Sequence, residues 1–193
     1  WMLKARTIFR EFLKSPNKVG AIAPSSPYLA NAMLDQLHWD TLTNVVEYGP
    51  GTGAISKHLL KRVGDHQKFF AVELNASFIP VLNQKLPTLK VFNESVSDIR
   101  RICDREGVDW VDGIISGLPW TVFPEPLQEE LLNATLSVLA EGGQFVTFAY
   151  FHGLPLQNAR RFRKRLKETF STVTISQVVW RNFPPAIFYS CRK

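Results

Sequence analysis

The sequence predicts an α/β domain in which helices cover both faces of a mostly parallel, seven-stranded sheet. From residue 44 onward, short β-rich runs alternate with helical patterns. Strands separated by helices require right-handed crossovers and hence a parallel sheet. The last two β-rich runs are separated by only five residues. Because this is too short for a helix, these two strands are predicted to pair antiparallel.

Two helical patterns precede the sheet, within residues 1–40. Residues 1–14 place apolar side chains at spacings of three and four among basic ones. This pattern is typical of an amphipathic helix that docks on an anionic membrane, and packing on the core is the alternative. A second helix is predicted to begin at the N-cap Ser26, followed by Pro27, and to run to about His38. We expect both helices to cap the mouth of a site in the core.

Residues 41–193 are predicted to form a core that contains seven strands. Because a chain of this length fits a single hydrophobic core, we expect residues 1–193 to form one domain. The predicted strands are Asn44–Tyr48, Lys68–Glu73, Leu89–Asn93, Val111–Ser116, Gln144–Ala149, Ser171–Trp180 and Ala186–Cys191. A helix is expected over Ala54–Lys61, directly after the first strand. Ligands of open α/β sheets bind at the carboxyl ends of the strands. The loops that follow the strands are therefore expected to carry the site.

Charge and composition limit the classes of function. The formal net charge of +6 favours anionic partners, and on this ground nucleic acid and anionic lipid are equally eligible. Cys103 and Cys191 lie far apart with no further ligand at metal-site spacing, so neither a disulfide framework nor a metal site is predicted. Apolar runs are too short for a membrane span, and no signal-peptide pattern is present. We therefore expect a cytoplasmic protein.

A glycine-rich turn follows the first strand and is the strongest local signal. The sequence from Val45 reads Val-Val-Glu-Tyr-Gly-Pro-Gly-Thr-Gly, and Gly49, Gly51 and Gly53 would let the backbone approach a ligand. The second strand ends at Glu73, about 20 residues beyond the last glycine, where a carboxylate can accept hydrogen bonds from a ribose diol. Together these features predict a cofactor that contains a ribose.

The details of this region favour a methyltransferase over a nicotinamide dehydrogenase. Glu47 lies two residues before the first glycine, and no later glycine lies inside the helix, which resembles the loop of S-adenosylmethionine-dependent enzymes. Glu47 is expected to position the methionine end of that cofactor, with Tyr48 and Leu74 nearby. Asp98 resembles the acidic residue that contacts adenine in class I methyltransferases, with Ser97 beside it. N-capping of the following helix is the alternative for Ser97 and Asp98.

The loop after the fourth strand is predicted to hold the methyl acceptor. It reads Ser116-Gly117-Leu118-Pro119-Trp120, and a carbonyl of Ser116 or Gly117 could bind an amine, while Ser116 also borders the expected cofactor site. Amino-adenine methyltransferases carry Asn or Asp at the position of Gly117, so this glycine argues against RNA adenine as the acceptor. Trp120 could contact an ammonium group through its ring or could plug the core.

Several motifs together resemble those of the soluble bacterial phospholipid N-methyltransferases. They are Pro16, Val19–Ser26, Glu47–Gly53, Ser116–Pro119 and Asn182–Ala186. The resemblance spans nearly the whole chain and implies a Rossmann-like class I methyltransferase that uses S-adenosylmethionine. It implies methylation of the amine of phosphatidylethanolamine or a related aminolipid, toward phosphatidylcholine-type products, at the inner face of the cell membrane. Tyr150 and His152 are then candidates for binding the head group.

Alternatives remain for the acceptor and for the basic residues. An RNA (rRNA) adenine N6-methyltransferase fits the charge and the general fold, and a lipid-binding protein that kept the cofactor fold is a non-enzymatic alternative. A basic run, Arg160–Lys167, could contact lipid phosphates or an RNA backbone, or form a solvated helix face. We expect an aminophospholipid substrate and an anionic membrane surface as partners, and no specific nucleic acid.

Overall fold

A single seven-stranded sheet organises residues 24–193, the part of the chain that the computed structural model describes. The strands are β1 (Asn44–Tyr48), β2 (Lys68–Val72), β3 (Val91–Phe92), β4 (Val111–Ser116), β5 (Leu139–Tyr150), β6 (Thr172–Ile175) and β7 (Ala186–Arg192). Their order is β3-β2-β1-β4-β5-β7-β6, with β1 to β5 parallel and β7 antiparallel to both of its neighbours. The predicted fold class is confirmed. The amphipathic pattern at residues 1–14 lies outside the described residues.

Six α-helices lie within residues 24–193; the first precedes β1, and the other five connect successive strands. The helices are α1 (Pro27–Leu34), α2 (Ser56–Leu59), α3 (Ile79–Lys85), α4 (Ile99–Glu106), α5 (Glu125–Val138) and α6 (Gln157–Thr169). Ser26 caps α1 as predicted, because its hydroxyl accepts a hydrogen bond from the amide of Leu29 at 3.2 Å. Helix α1 ends at Leu34, before the predicted boundary near His38. None of the described helices is long and apolar enough to cross a bilayer.

Two hydrophobic layers flank the sheet. Helices α4, α5 and α6 pack on one face, to which Val46 and Tyr48 of β1 contribute. Helices α1 and α2 pack on the other face, together with Val45. Side chains alternate between the faces of a strand. Glu47 therefore points to the same face as Val45, toward α1 and α2.

Several element boundaries differ from the prediction. Strand β5 begins at Leu139, five residues before the predicted start at residue 144, and its pairing with β4 contains a register shift. The predicted run from Ser171 to Trp180 pairs continuously only over β6, after which a single bridge joins Val179 to Ala186. Helix α2 covers only the centre of the range predicted for it, and turns flank it.

Candidate functional site

The glycine-rich turn lies at the carboxyl end of β1 and adopts a conformation that requires glycine. Gly49 has φ of 64°, its amide donates to the carbonyl of Val72 at 2.9 Å, and a Cβ added here would lie 2.7 Å from the Leu118 side chain. Gly51 has φ of 56°, and a Cβ on it would meet nothing within 4 Å. Thus Gly49 packs against the acceptor loop, whereas the backbone at Gly51 faces open space that a ligand can occupy.

A cleft opens above this turn, at the carboxyl ends of β1, β2 and β4. It holds about 860 Å³ of empty space when the open solvent at its mouth is counted with it. Gly49, Gly51, Glu73 and Leu74 line one part of it, and Gly117 lines another part. The structure therefore brings the predicted cofactor loop and the predicted acceptor loop to one cleft.

Glu73 lies at the end of β2 with its carboxylate turned into the cleft wall. Its two oxygens accept hydrogen bonds from the amides of Gly51 (3.0 Å) and Asn75 (2.8 Å). Burial raises the pKa of Glu73, and the backbone hydrogen bonds oppose this. Since each carboxylate oxygen can accept a further hydrogen bond, Glu73 can bind a diol while it holds the glycine turn in place.

Glu47 is completely buried on the α2 side of β1. Neither of its carboxylate oxygens has a hydrogen-bond partner among the described residues, and the same holds for the hydroxyl of Ser56. Burial raises the pKa of Glu47 from 4.5 to about 8; the nearby Ser56 hydroxyl lowers it, and the Glu73 charge raises it slightly. A buried, unpartnered acid at this position suits a cationic group such as an amino-acid ammonium, directly or through water.

The acidic residue after β3 that lines the cleft is Glu94, and Asp98 lies elsewhere. Strand β3 ends at Phe92. In the segment after it, Glu94 and Val96 line the cleft, whereas Ser97 and Asp98 do not. Asp98 lies 3.7 Å from Arg101 instead. The capping alternative holds for position only: Asp98 lies at the N-cap of α4 without a side-chain cap hydrogen bond. The Ser95 hydroxyl caps the short 3-10 turn before it by accepting the Ser97 amide. The signal that could have found Glu94 is its position two residues after the strand.

Glu94 is held by two arginines of α4. Its carboxylate forms ion pairs with Arg101 (2.9 Å) and with Arg105. These contacts lower the pKa of Glu94, mainly through the hydrogen bond from Arg105. The guanidinium of Arg105 also lies over the ring of Phe92, 5.3 Å from its centroid. Glu94 therefore stays ionised and oriented at this wall of the cleft.

Tyr48 and Trp120 are core residues, which corrects their assignment to the site. Tyr48 is fully buried on the α5 side of the sheet, and only its carbonyl takes part, accepting the Gly117 amide at 2.8 Å. The Trp120 ring is fully buried, stacks on Phe162 at 5.2 Å and donates through Nε1 to the Ser116 hydroxyl at 2.8 Å. A ring enclosed in this way has no face for an ammonium group.

Ser116 and Gly117 set the position of the acceptor loop. The hydroxyl of Ser116 is buried and accepts from Trp120, and its carbonyl accepts from Thr147 at 3.1 Å. Ser116 therefore supports the loop from below. A Cβ on Gly117 would lie 2.7 Å from the carbonyl oxygen of Gly49. This is closer than real Cβ contacts allow, so residue 117 cannot carry a side chain without displacing the cofactor turn. Of the predicted acceptor residues, Gly117 and Leu118 line the cleft.

Tyr150 and His152 lie one layer away from the cleft. The Tyr150 ring packs edge-on against Phe148 at 5.5 Å, and Phe148 lines the cleft. The ring of His152, an exposed residue, stacks on Tyr150 at 5.8 Å. Burial raises the pKa of the Tyr150 phenol. Tyr150 therefore stays protonated at neutral pH and offers a hydroxyl, not a phenolate.

Asn182 joins two distant segments at the mouth of the cleft, a role that the sequence alone did not reveal. It is 1% exposed, and its side chain accepts from the Ser26 amide (2.8 Å) and donates to the Pro184 carbonyl (2.7 Å). Pro24 and Ser25, just before this contact, line the cleft. The signal available in the sequence was a single Asn in a loop otherwise rich in Pro and aromatic residues.

The basic run on α6 is partly neutralised by acidic residues. Arg161 and Arg165 form ion pairs with Glu125, and Arg165 also contacts Glu129 at 3.2 Å. Phe162 and Leu166 are buried, as the pattern indicated. The remaining basic side chains, which belong to exposed residues, are Arg160, Arg163, Lys164 and Lys167.

Comparisons with known proteins agree with this cleft. The family model described as ribosomal RNA adenine dimethylase matches residues 24–97. Ornithine lipid N-methyltransferase of Singulisphaera acidiphila is 30% identical over 185 residues, 94% of this chain and 92% of that protein. Ribosomal RNA small subunit methyltransferase A of Dehalococcoides mccartyi is 30% identical over 121 residues, 62% of this chain and 40% of that protein.

A solved structure supports the same fold. The O-methyltransferase of Bacillus cereus, in complex with S-adenosylhomocysteine, superposes with a TM-score of 0.67 at 13% identity, over 97% of this chain and 90% of that one. The glycine turn, the Glu73 carboxylate and the unpartnered Glu47 fit S-adenosylmethionine as the cofactor. This chain is an S-adenosylmethionine-dependent class I methyltransferase, and it belongs to the family that includes ornithine lipid N-methyltransferase.

Proposed function

We propose that this enzyme methylates the amine of an aminolipid head group, phosphatidylethanolamine or a lipid with a comparable primary amine, at the surface of an anionic membrane. The observation that carries the proposal is the contact between Gly117 and the Gly49 carbonyl. It leaves no room for the polar side chain with which amino-adenine enzymes hold a nucleobase. The acceptor side of the cleft is instead formed by backbone and by the apolar residues Leu118, Pro119 and Phe148.

The chemistry asks for alignment and exclusion of water more than for a nucleophilic side chain. S-adenosylmethionine, when bound, would supply an electrophilic methyl group: the lone pair of a neutral amine would attack the methyl carbon in line, the carbon–sulfur bond would break, and S-adenosylhomocysteine would leave. The apolar wall at Leu118 and Phe148 favours the neutral amine over the ammonium form, since burial disfavours charge. The backbone of Gly117 offers a carbonyl that can orient the amine hydrogens. Glu73 lines the cofactor end of the cleft, and Glu47 is buried in β1, two residues before the glycine turn.

Tyr150 and His152 complete the proposed head-group side. Because its phenol remains neutral, Tyr150 is suited to donate a hydrogen bond to a phosphate or carboxylate oxygen of the lipid. His152 stacks on Tyr150 and belongs to the solvent-exposed layer, so it can pass the proton released by the amine to water. The pair would then bind the head group and connect the cleft to solvent.

The second candidate function is methylation of adenine in ribosomal RNA. The family model and the Dehalococcoides relative favour it. The family model matches residues 24–97, which contain the glycine turn, Glu73 and Glu94 but end before the acceptor loop. This match therefore supports the shared cofactor half and says little about the acceptor. The ornithine lipid enzyme matches both halves.

Transfer of labelled methyl groups from S-adenosylmethionine tests the proposal. The acceptors are vesicles of phosphatidylethanolamine with phosphatidylglycerol, vesicles that contain ornithine lipid, and ribosomal RNA, with Glu73→Ala as the cofactor-site control. We expect label in lipid, reduced in the control, and the separated products count the methyl groups. Label in RNA alone would establish the second candidate. Binding of S-adenosylhomocysteine without transfer to any acceptor would favour the non-enzymatic lipid-binding alternative.

A further inference from the structure

Four exposed aromatic side chains lie within three residues of segments that line the cleft or are hydrogen-bonded beside it. Phe183 is 87% exposed and Trp180 is 70% exposed, and both lie on the loop between β6 and β7. Phe151, after β5, lies with its ring centroid 6.0 Å from that of Trp180. Tyr28, in the first turn of α1, packs under the guanidinium of Arg181 at 4.8 Å. We call Tyr28, Phe151, Trp180 and Phe183 the mouth patch.

The mouth patch is fixed to the wall of the cleft by buried polar contacts. Asn182, between the exposed Arg181 and Phe183, is buried and bonded to the Ser26 amide, one residue after the cleft-lining Ser25. The Phe151 amide donates to the carbonyl of Pro185 at 2.8 Å. The loop therefore turns the Asn182 side chain inward, while Arg181 and the aromatic side chains of Trp180 and Phe183 are exposed. Exposed apolar patches mark interaction or membrane surfaces.

The chemistry of the mouth patch suits the interfacial layer of a bilayer. Trp and Tyr are enriched at the level of lipid head groups, where one part of the ring is apolar and the other can reach water. Arg181 adds a cation within the patch, and each basic residue near an anionic leaflet contributes about 1 kcal/mol of attraction. Leu156, 54% exposed, follows on the same loop as Phe151, and the exposed Arg160 lies in the next helix turn.

We propose that the mouth patch inserts into the head-group region of an anionic bilayer and sets the cleft mouth at the depth of the lipid amine. This inference rests on the proposed function, since a substrate that stays in the membrane requires the cleft to approach it. It assigns docking to the loop between β6 and β7 and to the loop after β5. The bilayer contact and the catalytic cleft then share one rigid support, the buried Asn182.

A vesicle-partition experiment with a matched control tests this surface. The test variant is Trp180→Ser with Phe183→Ser, and the control is Trp110→Ser. Trp110 is 54% exposed but precedes β4, at the edge of the sheet opposite the cleft. Sedimentation with phosphatidylethanolamine–phosphatidylglycerol vesicles measures membrane binding, and titration with S-adenosylhomocysteine checks the fold. Methyl transfer to a short-chain, monomeric aminolipid measures the cleft without a membrane.

We expect the double variant to lose vesicle binding by at least about tenfold, while the control binds as the parent does. Binding of S-adenosylhomocysteine and transfer to the monomeric lipid should stay unchanged in both variants, because none of these residues lines the cleft. Unchanged vesicle binding in the double variant would overturn the inference. A parent protein that is dimeric and becomes monomeric in the double variant would also overturn it, because the mouth patch would then be a subunit interface. Absence of transfer to any lipid by the parent would refute the proposed function alone, because the partition result stands by itself.

Discussion

Replacement of Glu47 by Gln is expected to stabilise the cofactor-free protein, and more strongly as the pH rises from 5 to 8. Glu47 is fully buried, and its oxygens have no hydrogen-bond partner in residues 24–193. Burial raises its pKa to about 8. The unfolded chain, in contrast, ionises this group near its ordinary value of 4.5. The folded state therefore retains a proton that the unfolded state releases.

The sign and size of the effect follow from this difference. Below the unfolded pKa, both states are protonated and Glu47 costs nothing. As the pH rises toward the folded pKa, the unfolded state gains by ionising and the native state does not, so stability is lost. Between pH 5 and pH 8 the loss amounts to about 3 kcal/mol, at 1.36 kcal/mol for each pKa unit. Gln cannot ionise, so the variant lacks this loss and differs from the parent by a pH-dependent amount.

Urea denaturation of parent and variant at pH 5, 6, 7 and 8 measures the difference in unfolding free energy. Other titrating groups cancel, because both proteins share them. Glu94→Gln is the matched control: its ion pairs lower the pKa of Glu94, so the stability that they add is lost only as the pH falls through that lowered pKa. The difference in unfolding free energy between Glu94→Gln and the parent should not change with pH above pH 5. If the difference for Glu47→Gln were also independent of pH, Glu47 would be ionised throughout this range, which would refute the reasoning.

Three further substitutions probe the cleft. Glu73→Ala should weaken S-adenosylhomocysteine binding at least about tenfold in calorimetry, since hydrogen bonds to a charged group contribute about 1.5–3 kcal/mol. The control Glu106→Ala, on the last turn of α4, should leave this affinity unchanged. Gly117→Ala should lower the unfolding free energy by roughly 1–3 kcal/mol, because the new methyl meets the Gly49 carbonyl, and an unchanged melting curve would contradict this. Tyr150→Phe should reduce kcat for lipid while cofactor affinity stays within about twofold, and equal losses in both would argue against a head-group role.

The sequence predicted the sheet and the cofactor half well, because their signals are local. The glycine turn, the strand before it and the carboxylate at Glu73 are separated by short, regular spacings that the crossover geometry dictates. The length of β6 was overestimated for a different reason. The run through Trp180 has the composition of a strand, but its last residues form a loop whose aromatic side chains face outward.

Trp120 and Asp98 show why the details of the site were harder to predict. Composition alone cannot tell whether an aromatic residue after a strand faces the ligand or the core. The buried hydroxyl of Ser116, which accepts the Trp120 indole, decides this in favour of the core. Asp98 was assigned from its resemblance to the acidic residue that follows the third strand in class I methyltransferases, but two carboxylates, Glu94 and Asp98, follow that strand. Only the course of the loop decides that Glu94 is the one that lines the cleft.

The contacts on which the proposed acceptor and the proposed docking surface rest join segments that are distant in sequence. Gly117 matters because the Gly49 carbonyl lies where its side chain would be. Asn182 matters because it holds the amide of Ser26, 156 positions earlier. A match limited to residues 24–97 contains one side of each contact and neither contact whole. Such a match therefore supports the cofactor and leaves the acceptor open, so the proposed acceptor rests on the contact at Gly117, which lies outside the matched residues.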